Sequence, residues 1–147
     1  FDYFNIYEIL IIGSILEKEG LDLEDKKKIF TVIFNRLNKN MRLQIDATVL
    51  FSITNGNYDL KRKLLLSDLK VEHPFNTYTQ KGLPPGPISI PSIQAIDAVL
   101  NHEKHDYIFM CAKDDFSGYH NFAKTYVGHK INARKYRKAL NEKGIKR

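Results

Sequence analysis

A chain of 147 residues with 43% hydrophobic and 27% charged residues has the size and balance of one compact domain with a core of its own, which excludes a disordered segment. Its net charge of +6 admits an acidic partner such as nucleic acid, anionic lipid or an anionic polymer, although a generally lysine-rich surface explains the same number. One cysteine excludes an internal disulfide, and the longest apolar run, "ILIIG", is too short to span a membrane.

Ile6, Ile9, Leu10, Ile12, Gly13 and Leu16 recur at helical spacing and predict a helix over 5–19 that Gly20 stops. Asp22 then caps a second helix running to about Asn38, with Glu24 and Asp25 in its first turn, so the two form a helical hairpin. Glu17 and Glu19 fall at the turn of this hairpin, about 200° apart on the helical wheel. At most one of them belongs to the solvent face in the ordinary way. The other points toward whatever the helix packs against, as an end cap, a paired ion or a catalytic acid.

In "MRLQIDATVLFSI", Met41, Leu43 and Ile45 alternate with Arg42, Gln44 and Asp46, which predicts a short extended segment and a small helix over 47–53 capped by Asp46. Residues 54–72 combine "NGN" turn chemistry with a polar helix or two. Proline and glycine crowd "HPFNTYTQKGLPPGPISIPS", so no regular element fits there. Phe75, Tyr78, Leu83 and Ile88 make it an ordered, stiff loop of the kind that lines a groove. Ser92 caps a helix to Leu100 with Ile93, Ile96 and Leu100 inward. "DYIFMCA" and "YHNFA" predict two strands around the turn "KDDFSG", and a last helix spans about Val127–Asn141. The expectation is a single α+β domain over residues 1–147, mainly helical, with a small β-hairpin and a Pro/Gly-rich groove-lining loop. A chain that opens at Phe1 without methionine reads as processed or trimmed, which leaves open an anchor or another domain upstream.

Several chemistries are weak here. His102 and His105 in "NHEKH" have no HExxH context and no thiolate pair, so a loop after a helix explains them and no metal site or cofactor is expected. Ser14, Ser52, Ser67 and Ser117 lack a nucleophile elbow, and Cys111 within "YIFMCA" reads as a small buried hydrophobe. The basic clusters at Lys26–Lys28, Lys61–Lys63 and Lys143–Arg147 form no continuous stripe, and no arginine-and-aromatic sheet of the nucleic-acid-binding type accompanies them. The glutamates remain. A general acid must hold its proton near neutral pH, which partial burial provides. Glu17 has the small residues Gly13 and Ser14 one turn behind it, leaving space for a ligand. Glu19, next to Gly20, is placed to pair with Lys18, Lys26 or Arg36. That both are plain helix-terminal carboxylates stays open.

The segments "SILEKEG", "VIFNRLNKNMRLQIDATVLFSI", "PFNTYTQKGLPPGPISIPSIQAIDAVLN" and "DYIFMCAKDDFSGYHNFAKTYVGHKIN" occur in this order. Together they resemble the catalytic domain of the YceG-like proteins, the MltG endolytic murein transglycosylases, from about Asn5 to about Tyr136. "NTYTQKGLPPGPI" is the most specific part. The family's first-helix motif is met by Gly13, Ser14, Ile15, Leu16, Glu17, Lys18 and Glu19. "DAT" at 46–48 departs from the family's usual Asp-Pro-Thr and puts only local rigidity in question.

The resemblance implies a lysozyme-like catalytic domain that cleaves the MurNAc-β-1,4-GlcNAc bond of peptidoglycan strands without water, leaving 1,6-anhydro ends. One glutamate acts as general acid and base. Glu17 is the first choice, on its spacing to Asn35 and Arg36, which is similar to that in the SleB-like cortex enzymes, and on the small residues behind it. Glu19 is the second choice and otherwise a substrate contact. Gln44, Asp46, Asn76, Thr77, Tyr78 and His120 are the further expected substrate-binding residues. The sober alternatives are a backbone cap for Gln44, a helix cap for Asp46 and a core anchor for Tyr78; Asn35 and Arg36 brace a loop. Implied partners are glycan strands and the cell-wall synthesis machinery, not nucleic acid, with a membrane reached only through an N-terminal anchor and a LysM-like region outside this chain. The implied location is the cell envelope, facing the periplasm or wall. A glycan-binding domain without turnover, a hydrolytic muramidase and a basic nucleic-acid module are the competing readings.

Overall fold

Helix α1, Ile6–Glu19, begins with a reciprocal cap: the Asn5 side chain accepts the N–H of Glu8 at 2.8 Å and Glu8 Oε1 accepts the N–H of Asn5 at 3.1 Å. Its middle, from Ile11 through Leu16, is buried without a break, so α1 is surrounded on all sides and carries no solvent face there. The computed structural model describes residues 3–144; residues 145–147 of the basic tail lie outside the described residues.

Asp22 accepts the N–H of Asp25 at 2.9 Å and starts α2, Leu23–Asn38. The buried stripe of α2, from Ile29, Phe30 and Ile33, meets Ile12, Ile15 and Leu16 of α1 and Ala95, Ala98 and Val99 of α4, Ile93–Leu100, in one core. Gly20 does end α1, but in extended backbone at φ −94°, not the left-handed turn that usually calls for glycine. The requirement is space. A Cβ there would stand 2.3 Å from Cγ of Lys26 and 3.2 Å from its Cα.

Two expected faces turn out differently. In α4 the inward residues are Ala95, Ala98 and Val99, while Ile93 and Leu100 are exposed and Ile96 is half-buried against Gly13. Alanine and glycine let these helix backbones approach closely, and larger side chains would hold them apart. Helix α3, Asp46–Thr54, has Ile45 at its cap position with no side-chain cap from within its own segment. Asp46 is therefore inside the helix and does not cap it.

Residues 41–45 keep the expected alternation of burial, with Leu43 and Ile45 buried and Arg42 and Gln44 exposed, but Gln44 sits at φ 52° and no strand forms. Between α3 and α4 the only regular element among the described residues is a short 3-10 turn, Asp68–Lys70, so the polar helices expected within 54–72 are absent. The proline turn packs on α1, where Tyr7 donates to the Pro85 carbonyl at 3.0 Å and Ser14 Oγ accepts the N–H of Ile88 at 2.9 Å. The predicted hairpin is present: β1, Phe109–Ala112, pairs antiparallel with β2, His120–Ala123, aligning Phe109 with Ala123 and Ala112 with His120. Helix α5, Tyr126–Glu142, starts at a Thr125 cap and packs on this sheet. The fold is α+β, mainly helical with one small antiparallel sheet. No helix among the described residues is long and apolar enough to cross a membrane.

Candidate active site

A cleft of about 480 Å³ opens where the C-terminal end of α1, the segment before α3, the hairpin and α5 converge. Glu19, Gln44, Asp46, Tyr78 and His120 border it together, drawn from four separate stretches of the chain. Glu17 is not among its walls.

The two glutamates have opposite environments although both residues are half-buried. Glu17 turns to the start of α4, where its Oε2 accepts the N–H of Ser92 at 3.1 Å. The Ser92 hydroxyl, helped by that N–H and by Lys26 and Lys18, holds the Glu17 carboxyl below its ordinary range despite some burial. The space expected behind it is filled: Pro91 and Ile96 stand over Gly13, and Ser14 is clamped to Ile88. Glu19 faces the cleft with its carboxyl closely packed round by protein. Burial pushes it up, and the charge of Asp46 adds to this, while the Ala47 N–H and His120 oppose it. Its Oε1 accepts the Ala47 N–H at 3.1 Å, so Glu19 takes the capping role expected of Asp46.

None of the cations expected to pair with Glu19 does so. Lys18 lies over the Tyr58 ring, Lys26 donates to Gln94 at 2.7 Å, and Arg36 donates to the carbonyls of Ile108 and Arg42 at 2.6 and 2.7 Å. Arg36 and Asn35, which holds the carbonyls of His105 and Tyr107, brace the approach to β1 as expected.

Tyr78 reaches the cleft and donates to Asp46 Oδ1 at 2.6 Å, so it is both a wall and a tether. Asn76 and Thr77 do not. Both are buried and fully engaged: Asn76 donates to the carbonyls of Leu69 and Val71 and accepts the Tyr78 N–H, while Thr77 accepts the Ile45 N–H at 2.9 Å and meets Thr48 at 2.8 Å. They shape the loop from behind, because their hydrogen-bonding capacity is consumed inside. Of the proline-rich stretch 73–92, only Tyr78 borders this cleft.

Gln44 borders the cleft in left-handed backbone, a conformation that costs about 1 kcal/mol or more for a residue with a side chain. His120 borders it with Nδ1 2.9 Å from Asp25 Oδ2. Cys111 is half-buried and lines the wall, its thiol pushed up by burial. His102 and His105 are elsewhere, one against the Phe30 ring and the other on the Lys28 carbonyl.

Reading the sequence missed Asp25, which holds His120 from behind the cleft wall, and the α5 residues His129, Tyr136 and Arg137 in that wall. A signal for Asp25 existed, since it falls on the same stripe as Ile29, Val32 and Arg36, where a carboxylate needs a partner. For α5 there was none, because its register against the sheet is set by tertiary packing.

With this geometry in place, a model of the YceG-like family matches residues 2–135. Over 139 residues the chain is 37% identical to the endolytic murein transglycosylase of Bacillus subtilis (strain 168), spanning 95% of this chain and 37% of that protein. It is 37% identical over 109 residues to the endolytic murein transglycosylase of Streptococcus pneumoniae serotype 2 (strain D39), spanning 73% of this chain and 20% of that protein. A crystal structure of a yceG-like protein from Listeria monocytogenes superimposes with a TM-score of 0.77 at 40% identity, over 86% of this chain and 39% of that one. The chain thus spans well under half the length of these relatives.

Proposed function

This chain belongs to the YceG-like family, and from that premise we propose that it is the catalytic domain of an endolytic lytic transglycosylase acting on peptidoglycan, with Glu19 as its general acid. The observation that carries the choice is the contrast between the two glutamates. Glu19 faces the cleft with its proton favoured by burial, and Glu17 lies outside it with its ionised form favoured by Ser92. This replaces the first choice made from sequence, because the room expected beside Glu17 is taken up by Pro91 and Ile96.

In this reading Glu19 gives its proton to the oxygen bridging MurNAc and GlcNAc while C1 acquires oxocarbenium character. The muramyl C6 hydroxyl attacks C1 and closes a 1,6-anhydro ring, and its proton returns to a base in the cleft, in the simplest account the ionised Glu19. Ordinary glycosidases pair two carboxylates to deliver water or a covalent intermediate. Here the substrate supplies the nucleophile and one raised carboxyl suffices. Asp46 is the nearest second carboxylate, and its tie to Tyr78 suits it to holding the wall or a sugar hydroxyl. Gln44, Tyr78 and His120 offer further groups to a glycan. A helical lobe and a small sheet bracketing an acid-bearing cleft serve as a lysozyme-like arrangement. Residues 1–147 then work at the cell envelope as the wall-facing part of a longer, membrane-anchored protein.

The test is digestion of purified glycan strands by wild type, Glu17→Gln and Glu19→Gln, with products weighed by mass spectrometry. Anhydro-muramyl ends from wild type and Glu17→Gln, and none from Glu19→Gln, are expected. The opposite pattern returns the acid to Glu17, reducing ends make the protein a muramidase, and no cleavage by wild type leaves a glycan-binding domain.

A further inference from the structure

The proton of the attacking hydroxyl needs an acceptor, and one besides Glu19 stands in the cleft. His120 opens β2 with its Nδ1 2.9 Å from Asp25 Oδ2; the two side chains are 12% and 2% exposed. Asp25 is itself fixed at the α1–α2 turn, where the same oxygen accepts the Leu21 N–H at 3.0 Å. A carboxylate only accepts, so the hydrogen resides on Nδ1 and the neutral ring carries its lone pair on Nε2. No hydrogen bond to Nε2 occurs among the described residues, and His120 borders the same cleft as Glu19.

We propose that Asp25 and His120 form the base of this site, His120 Nε2 removing the hydroxyl proton while Glu19 protonates the leaving oxygen. The inference rests on the transglycosylase reading above. The step balances. The C1–O4 bond breaks and O4 takes the Glu19 proton; the C1–O6 bond forms and the O6 proton passes to Nε2. The imidazolium then gives that proton to the ionised Glu19, restoring both groups without any co-reactant. A buried Asp25 supplies what such a base needs: it fixes the tautomer and stabilises the cation that forms.

Asp25 from α2 is bonded to the imidazole, Glu19 at the end of α1 interacts with it across the cleft, and Asp46 at the start of α3 borders the same cleft. Arg36, His129 and Arg137 also border the cleft. Glu19 and His120 divide the work, one entering the reaction with a proton and the other with a lone pair.

The decisive measurement is the pH dependence of kcat and KM on glycan strands for wild type, Asp25→Asn and His120→Gln. Asparagine keeps an oxygen for the Leu21 and His120 N–H groups while removing the charge. We expect kcat to fall about 100-fold in each variant with KM nearly unchanged. We also expect the acid limb of the kcat profile to move to lower pH in Asp25→Asn and to disappear in His120→Gln, with anhydro ends still the product. A loss confined to KM, or an unmoved acid limb in a folded variant, overturns the proposal. If Asp25→Asn does not fold, His120→Gln alone decides, since it leaves Asp25 and its backbone bond in place. Reducing ends or no cleavage from wild type sink the transglycosylase reading itself, a failure visible before any variant is compared.

Discussion

Glu19 Oε1 accepts the backbone N–H of Ala47 at 3.1 Å, so the last residue of α1 caps the first turn of α3. One carboxylate thereby joins two helices and remains at the wall of the cleft. This dual position ties the ionisation of Glu19 to the stability of the fold.

Burial raises the Glu19 acid above its ordinary 4.5, the value it regains on unfolding. Between those two values the folded state binds the proton more tightly than the unfolded state, so stability falls as pH rises through that window. Glu19→Gln removes the penalty and keeps an oxygen for Ala47. Thermal unfolding should show the variant melting a few degrees above wild type at pH 7.5 and level with it at pH 4. A lower melting temperature at both pH values would mean that the carboxylate is worth more as a cap than it costs by burial.

Glu17 runs the other way. Its acid is depressed below 4.5 by Ser92, so its contribution is present above that pH and lost as pH falls through its folded value. Because the group is largely open to solvent, Glu17→Gln should cost only about 0.5–1 kcal/mol at pH 7, with the difference vanishing in acid. Glycan cleavage should stay within about threefold of wild type, as expected for a residue that changes no catalytic group. Urea unfolding at pH 7 and pH 3, alongside a turnover assay, checks both parts.

Thr77 should behave as a structural residue. Thr48 donates its hydroxyl hydrogen to the Ile45 carbonyl at 2.7 Å, which leaves the Thr77 hydroxyl as donor to Thr48 and acceptor for Ile45. Thr77→Val strands the buried Ile45 N–H and should cost about 1–3 kcal/mol, whereas Thr77→Ser should cost much less. Equal denaturation midpoints for the two variants would contradict this account of the site's support.

Gly20 offers a test of space against backbone freedom. At an ordinary negative φ, replacing glycine with alanine stabilises a protein by about 0.4–1 kcal/mol through the unfolded chain. Here the new methyl meets the stem of Lys26, whose Nζ is held by Gln94, so there is little room to yield. Gly20→Ala should instead destabilise by about 1–3 kcal/mol. Since it disturbs the turn that carries Glu19, kcat should fall as well. A more stable Gly20→Ala would show that Lys26 moves freely.

The sequence by itself determined the local structure of this protein. Periodicity placed α1, α2 and α5, Asp22 and Ser92 announced the starts of α2 and α4, and alternation around "KDDFSG" marked the hairpin, because these signals depend on neighbours a few residues apart. The motif "GSILEKEG" likewise pointed to the turn where an acid stands. What sequence could not decide was which glutamate faces the cleft. That depends on Pro91 and Ile96 covering Gly13, on Ser92 claiming Glu17 from 75 residues away, and on Ala47 meeting Glu19. The same holds for Asn76 and Thr77, whose polar side chains look available until burial engages them, and for the contact of Asp25 with His120 across 95 residues. Burial and hydrogen-bond partners are properties of the packed chain, and they decide whether a carboxylate keeps its proton or gives it up.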